Sequence, residues 1–227
     1  VSGRNLYKLL NNGECILLFP GGVREAFKRK NERYQLFWPT KPEFIRMAAR
    51  HDAVIVPFSA VGVEDGFEVV FDADDIGQLP FGIGDGVLEN ARKIPSARKV
   101  DTRVTIDGAA EEAFVQPLLV PKMQQRYYFK FGKPIYTESL GLGKGSSGKG
   151  KKGSSGTKKE SSNVEQDEAD SENTEKEVLA MYHACRESVE DGIDWLLRKR
   201  VEDPFGDTPG RILWEQAAGK QAPTFIP

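Results

Sequence analysis

The chain has 227 residues, of which 39% are hydrophobic and 10% aromatic, and its formal net charge is −2. This length allows one substantial core, and the balance of 32 basic and 34 acidic residues argues against a nucleic-acid-binding protein. Cys15 and Cys185 lack CxxC spacing and are interpreted as small buried hydrophobes, with a disulfide or a metal site as the alternative. The longest apolar runs are far shorter than the roughly 20 residues that span a bilayer.

The predicted elements of the first sixty residues alternate between helix and strand. Asn5–Leu10 reads as the end of a helix, and the apolar run Cys15–Phe19 predicts a buried strand. A capping box at Thr40-Lys-Pro-Glu43 begins a second helix that continues to Arg50. Ala53–Val61 is a second apolar run and predicts a second buried strand. The second helix buries one face, made of Phe44, Ile45, Met47 and Ala48.

Further strands are predicted at Phe67–Phe71 and at Arg126–Phe131. Pro57 removes one ladder hydrogen bond from the second apolar run, which favours a sheet edge, a bulge or the rim of a site. Alternating helices and strands predict an α/β fold with a mixed, largely parallel sheet flanked by helices. We expect residues 1–140 to form most of this domain, with its N-terminal segment missing.

Residues 141–173 differ in composition from the rest of the chain. Six lysines precede six acidic residues in this stretch, and no aromatic residue occurs, so we predict a disordered insert. The alternative is a lysine-rich tract that contacts anionic lipid. A capping box at Thr174-Glu-Lys-Glu177 predicts that residues 174–227 supply an amphipathic helix that closes the domain. The alternative for this helix is a membrane surface, although its acidic face argues against one.

The sharpest local pattern follows the first predicted strand. Phe19-Pro20-Gly21-Gly22 is a double-glycine turn, and Arg24 and Glu25 come directly after it. Backbone N–H groups beside glycine can approach a ligand closely, and an arginine fork can hold a phosphate or carbonyl oxygen. The alternatives are a plain tight turn and a surface ion pair. The charged run Lys28–Arg33 is either a solvated face or a patch that attracts phosphates or anionic lipid.

Several blocks together resemble one protein family, the diacylglycerol acyltransferase branch of the glycerolipid acyltransferases, and within it the phytyl ester synthase group of plants and algae. The similar blocks are Phe19-Pro-Gly-Gly22, Arg24-Glu25-Ala26, Leu36-Phe-Trp38, Phe44-Ile-Arg-Met-Ala48, Ile55-Val-Pro-Phe58, Tyr127-Tyr-Phe-Lys-Phe-Gly-Lys-Pro134 and Asp203-Pro-Phe205. The resemblance covers nearly the whole chain except the insert.

The resemblance implies an O-acyltransferase that moves a fatty acyl group from acyl-CoA or acyl carrier protein to phytol or diacylglycerol. It implies no cofactor besides the acyl donor, peripheral association with lipid or membrane, and a location in the chloroplast at plastoglobules or thylakoids. The implied substrate-binding residues are Phe19, Pro20, Gly21, Gly22, Arg24 and Glu25. Six aromatic residues are either core or the lining of a lipid tunnel: Phe37, Trp38, Tyr127, Tyr128, Phe129 and Phe131.

Enzymes of this kind carry a His-x-x-x-x-Asp motif, whose histidine deprotonates the acceptor hydroxyl. The residue five positions after His51 is Val56, and the one after His183 is Ser188, so neither histidine fits. We therefore expect the chain to be the C-terminal part of a longer protein that supplies the base. The alternative function is a non-catalytic lipid-surface or scaffold protein that keeps the fold. An α/β hydrolase is disfavoured because the sequence has no Gly-x-Ser-x-Gly.

Overall fold

The computed structural model describes residues 3–26, 28–72, 75, 78, 117–123, 125–143 and 162–225, the side chains of Val23 and 162–171 excepted. It mixes helices with short strands. The helices are α1 (Gly3–Asn11), α2 (Gly22–Ala26), α3 (Glu43–Ala49), α4 (Ser162–Lys199) and α5 (Thr208–Ala218). The strands are β1 (Val54–Ile55), β2 (Phe58–Val61), β3 (Phe67–Phe71), β4 (Leu118–Pro121), β5 (Tyr128–Phe131) and β6 (Ile135–Tyr136). Three short 3₁₀ helices cover Val63–Gly66, Glu138–Leu140 and Arg200–Glu202.

The prediction of a largely parallel sheet is wrong for the part of the chain that the structure describes. The strands there form three two-stranded sheets, β1 with β6, β2 with β5 and β3 with β4, and each pair is antiparallel. The error has a physical cause, because alternation of helix and strand along the chain does not determine which strands pair. A parallel pair needs a crossover that returns to the same end of the sheet, and none of these three pairs runs parallel.

The chain divides into two compact units. The first comprises Val1–Leu18, Lys41–Pro57 and Lys133–Ser188. In this unit α3 buries Ile45, Ala48 and Ala49, and Thr137 donates to the carbonyl of Ala53 at 2.8 Å beside the β1–β6 pair. The predicted burial of Ile45 and Ala48 is confirmed. The predicted capping box is wrong, because the N-cap of α3 is Pro42 and no side chain caps the helix.

The second unit comprises Phe19–Thr40, Phe58–Gly132 and Val189–Pro227. Its core is formed where β2 and β5 pack on the last turns of α4, through Val61, Tyr128, Val189, Ile193 and Leu196. Ser59 of β2 also lies against this helix and donates to the carbonyl of Val189 at 2.9 Å. Gly192 permits this approach, since a Cβ there would lie 2.1 Å from Ser59 Oγ.

Two apolar runs that both predicted buried strands behave differently. Cys15–Phe19 is not a strand; Leu17 is 65% exposed and Phe19 63%, and Cys15 is exposed although its burial was predicted. The second run divides into β1 and β2, and the break falls at Val56 and Pro57. The break agrees with the missing N–H of Pro57. Burial of Cys185 is confirmed and raises the pKa of its thiol to about 11.

The remaining strand predictions, Phe67–Phe71 and the run that ends at Phe131, are confirmed as β3 and β5. The closing helix is present as well, but it begins at Ser162 and not at the predicted Thr174. Its early start overlaps the predicted insert, of which residues 144–161 lie outside the described residues, so disorder there stays a prediction. Strand β4 and helix α5 were not predicted. Helix α5 begins at the N-cap residue Asp207, whose side chain accepts from the N–H of Gly210 at 3.0 Å.

Candidate functional site

The double-glycine segment forms a closed turn at the start of α2. The carbonyl of Phe19 accepts a hydrogen bond from the N–H of Gly22 at 3.1 Å. Gly22 has φ 55°, a left-handed conformation that side chains with a Cβ adopt rarely. The backbone conformation at this position therefore favours glycine. The turn leaves Phe19 exposed and Pro20 half-buried, so apolar surface faces outward beside it.

Gly21 is buried under the side chain of Glu25. A Cβ at Gly21 would lie 2.2 Å from Cδ of Glu25, so only glycine allows this carboxylate to fold back over the turn. Glu25 accepts from the N–H groups of Gly21 and Phe37, the latter at 3.0 Å. Burial raises the pKa of Glu25, and the N–H donors and Lys28 offset this only in part. The N–H groups of both glycines are thus engaged within the chain.

Glu32 is the carboxylate that orients Arg24. The guanidinium donates to both carboxylate oxygens of Glu32, at 2.8 and 2.5 Å, and its other face lies 3.9 Å from the centre of the Phe37 ring. This bidentate bond lowers the pKa of Glu32. A fork held on one side by a carboxylate and on the other by an aromatic ring has one well-defined orientation. The sequence alone does not indicate Glu32, because its eight-residue separation from Arg24 carries no helical signal.

Two acidic residues of the short helix Val63–Gly66 hold the charged run that follows the turn. Glu64 accepts from Nζ of Lys28 at 2.6 Å and from the N–H of Tyr34 at 2.7 Å. Asp65 accepts from the hydroxyl of Tyr34 at 2.6 Å and also contacts the guanidinium of Arg200. Burial, together with Asp65, raises the pKa of Tyr34 to about 12. Lys28–Arg33 is therefore anchored to the following helix and not simply solvated.

Asp203 organises a second polar cluster from two of the blocks that carry the family resemblance. Its buried carboxylate accepts from the hydroxyl of Tyr128 at 2.7 Å, from Arg126 at 3.0 Å and from the N–H of Phe205 at 2.8 Å. Burial raises the pKa of Asp203, but these hydrogen bonds outweigh it and the net shift is downward. Arg126 also donates to the carbonyls of Ala222 and Pro223. The cluster thus anchors the chain's last residues to β5.

Each of the two histidines of the chain contacts a tyrosine ring. The ring of His51 packs edge-on against Tyr7, with centroids 4.9 Å apart, and His183 is exposed beside Tyr182 on α4. Within the described ranges, no group of three or more His, Cys, Asp or Glu side chains is arranged to hold a metal ion. No helix in those ranges is both long and apolar enough to cross a membrane.

Two curated proteins resemble the chain along its whole length. Phytyl ester synthase 1, chloroplastic, of Arabidopsis thaliana is 34% identical over 230 residues, which cover 100% of this chain and 28% of that protein. Phytyl ester synthase 2, chloroplastic, of the same plant is 36% identical over 227 residues, which cover 99% of this chain and 28% of the relative. No family model matches the chain, and no solved structure matches it either.

Along its whole length the chain is similar to a segment of the phytyl ester synthases, which confirms the resemblance seen in the sequence. The chain spans little more than a quarter, 28%, of the length of these relatives. Both relatives are named chloroplastic, the location that the resemblance implied.

Proposed function

We propose that the chain is part of a chloroplast enzyme that transfers a fatty acyl group to the hydroxyl of phytol. The observation that carries this proposal is the similarity to two phytyl ester synthases over the entire chain. The donor is an acyl thioester on coenzyme A or on a carrier protein, and diacylglycerol is the competing acceptor. The enzyme acts at lipid or membrane surfaces, without a cofactor besides the donor.

The turn at Phe19–Gly22 is the proposed substrate-binding segment. Exposed Phe19 and half-buried Pro20 supply apolar surface for an acyl chain or phytol. Gly21 and Gly22 act by shaping the backbone, because their N–H groups already bind Glu25 and Phe19. Arg24 and Glu25 hold the turn in place through Glu32 and Phe37. Their role is to position the substrate rather than to supply a base.

The general base comes from a part of the enzyme outside this sequence. Acyl transfer to an alcohol needs a base within hydrogen-bond reach of the hydroxyl. Neither histidine here is followed by aspartate five positions later, and the relatives extend well beyond the matched segment. An in-frame His-x-x-x-x-Asp in the adjoining coding sequence is therefore expected. An in-frame stop codon immediately before Val1 would contradict this assignment.

The function is tested with protein expressed from the complete open reading frame that contains this sequence. Radiolabelled palmitoyl-CoA is supplied with phytol or with diacylglycerol, and the ester products are separated by thin-layer chromatography. We expect phytyl palmitate as the main product. A folded protein that forms triacylglycerol and no phytyl ester would move the assignment to the diacylglycerol acyltransferases. A folded protein that forms neither ester would remove the acyltransferase assignment.

A second candidate is a non-catalytic lipid-surface protein. It is favoured by aromatic side chains on the outer face of β5, where Phe129 is 55% and Phe131 70% exposed. These two rings flank Phe58 of β2, at centroid distances of 5.6 and 5.1 Å, and form one apolar patch. If this candidate is right, the protein co-sediments with lipid vesicles and forms no ester. Loss of vesicle binding in Phe131→Ser would show that this patch makes the contact.

A further inference from the structure

A cleft of about 520 Å³ lies in the second unit, next to the proposed substrate-binding turn. One wall is formed by residues 25, 26, 28–31 and 33, which follow the turn, and the other is the β3–β4 pair. Clefts of roughly 300–1,000 Å³ are typical of sites for small organic molecules. None of the residues assigned above to positioning the turn, except Glu25, lines it.

The wall formed by the two strands is apolar. Val69 and Leu119 are opposite each other in the β3–β4 register and are half-buried, and Pro117 is buried beside them. Phe67 lies at the mouth and is 43% exposed. The register shifts between Val69 and Phe71, an irregularity of the kind that re-aims side chains next to sites. This wall suits an alkyl or pantetheine-like segment.

The opposite wall is basic. Four basic side chains line the cleft, Lys28, Arg29, Lys30 and Arg33. Lys28 is only 12% exposed and pairs with Glu64, so it is committed to the fold. The side chains of Lys30 and Arg33 are 40% and 44% exposed and form the rim.

The rim cations have partners that an anionic ligand can replace. Lys30 pairs with Asp75 at 2.7 Å, and Arg33 lies 3.7 Å from Asp65 and donates to the carbonyl of Phe67 at 3.1 Å. Exposed ion pairs of this kind contribute little to stability and exchange readily with another anion. Arginine and lysine together bind phosphate groups well. Three acidic residues also line the cleft, and each is already engaged: Glu64 by Lys28, Glu25 by backbone N–H groups, and Glu68 by Lys122 at 3.4 Å.

We propose that this cleft binds a long-chain acyl-CoA, with the phosphates against Lys30 and Arg33 and the pantetheine and first acyl carbons along Phe67, Val69 and Leu119. The inference rests on the proposed function, since it assigns the donor's place in the same enzyme. An apolar wall facing a cationic rim matches a ligand with an alkyl part and phosphates. A free fatty acid has no phosphate, and CoA alone has no acyl chain. Palmitate would therefore make no phosphate contacts with the rim, and CoA would make no acyl contacts with the apolar wall.

The test is a binding measurement that does not require turnover. Palmitoyl-CoA, CoA and palmitate are titrated separately into the full chain by isothermal calorimetry, below the micelle concentration of each lipid. Palmitoyl-CoA is expected to bind more tightly than CoA or palmitate. The double variant Lys30→Gln/Arg33→Gln is expected to weaken palmitoyl-CoA binding about tenfold or more, with a weaker salt dependence. Lys176→Gln is the control, because this lysine is an exposed ion-pair partner of Glu172 and does not line the cleft.

A second variant tests the apolar wall. Phe67→Ala is expected to weaken binding of palmitoyl-CoA and of palmitate by several-fold. Tyr136→Ala, which shortens an exposed aromatic of another strand pair, is expected to leave both unchanged. Thermal unfolding by circular dichroism establishes that each variant is folded.

Several results would overturn the proposal. These are equal palmitoyl-CoA affinity in wild type and the double variant, palmitate binding as tight as palmitoyl-CoA, or binding of acyl carrier protein without binding of acyl-CoA. Failure of the proposed function can be distinguished from failure of the cleft assignment. If palmitoyl-CoA binds with the expected variant effects but the complete protein forms no ester, the cleft assignment stands and the proposed transferase activity is wrong. If the complete protein forms phytyl ester but the double variant binds palmitoyl-CoA normally, the transferase activity stands and the cleft assignment is wrong.

Discussion

Two regions of the second unit hold their shape by different means. Where β2 and β5 meet the end of α4, the contacts are apolar, and Val61 and Leu196 are each 1% exposed. In the Phe19–Trp38 segment, whose described residues include no strand and only the short helix α2, carboxylates of the segment itself and of the Val63–Gly66 helix accept from backbone N–H groups and from cations. The difference shows that the fold of the apolar region follows from the regular apolar pattern of its own helix and strands. The fold of the Phe19–Trp38 segment depends instead on polar partners that are not neighbours in sequence.

The largest expected effect comes from the apolar region. Leu196→Ala should destabilise the chain by about 2–5 kcal/mol, because a fully buried leucine is replaced and a cavity remains. Leu213→Ala is the matched control; this leucine is 68% exposed, and its loss should cost less than about 0.5 kcal/mol. The measurement is the free energy of unfolding from urea titrations followed by circular dichroism. Similar losses in the two variants would mean that the core has been placed wrongly.

A close helix–strand contact gives the next effect. Gly192→Ala puts a Cβ 2.1 Å from Ser59 Oγ and should cost about 1–3 kcal/mol by overpacking. The gain in helix propensity, about 1 kcal/mol, offsets part of this. Adding Ser59→Gly should restore part of the loss, since it removes the side chain that the new methyl meets. No recovery in the double variant would show that Gly192 matters for another reason.

In the polar region, the bond from Arg24 to Glu32 can be broken without creating a cavity. Glu32→Gln should destabilise the chain by about 1–2 kcal/mol at pH 7, because a charge-assisted bidentate bond becomes a weaker neutral one. Lys176→Gln removes one partner of an exposed ion pair and serves as control, with an expected loss near zero. A Glu32→Gln loss no larger than the control's would show that Glu32 does not orient Arg24.

The pH dependence of stability should separate Glu25 from Glu32. The folded pKa of Glu32 lies below its ordinary value of 4.5, so its stabilising contribution is full above pH 4.5 and is lost as the pH falls through the folded pKa. The folded pKa of Glu25 lies above 4.5, so its contribution is greatest below pH 4.5 and declines as the pH rises through the folded pKa. As the pH rises, the stability of Glu25→Gln should therefore improve relative to wild type above pH 4.5, and that of Glu32→Gln should worsen relative to wild type below pH 4.5.

Unfolding midpoints measured in urea at half-unit pH steps would show these opposite slopes. The effect of Glu25 is the smallest of those considered, because hydrogen bonds from two N–H groups already offset part of its burial. Slopes of the same sign for the two variants would contradict the assigned surroundings of Glu25.

Sequence patterns predicted the apolar region well and the polar region poorly. The closing amphipathic helix and the strand that ends at Phe131 were both predicted, and they are present as α4 and β5, because each buried face repeats along its own element. The same reasoning failed for Cys15–Phe19, since an apolar run becomes a buried strand only where partner strands cover it. The predicted parallel direction of the strands was wrong too, because strand pairing is decided by contacts between segments that are distant in sequence.

The candidate site shows the same limit. The sequence identified the double-glycine turn and Arg24, since glycine and arginine are conspicuous by type. It did not indicate Glu32 or Glu64, whose roles arise only when the chain brings them to Arg24 and to Lys28. No local pattern marks a carboxylate as the partner of a particular cation eight or 36 residues away.

The most direct measurement compares two glycines that share a left-handed backbone, Gly22 with φ 55° and Gly219 with φ 65°. Gly22→Val and Gly219→Val are placed separately in the protein from the complete open reading frame, and the rate of phytyl ester formation from palmitoyl-CoA is measured for each. Both substitutions strain the backbone, but only the first lies in the proposed substrate-binding turn. We predict that Gly22→Val forms no phytyl ester while remaining folded, and that Gly219→Val retains activity. Normal ester formation by Gly22→Val would contradict the assignment of this turn to the acyl-transfer site.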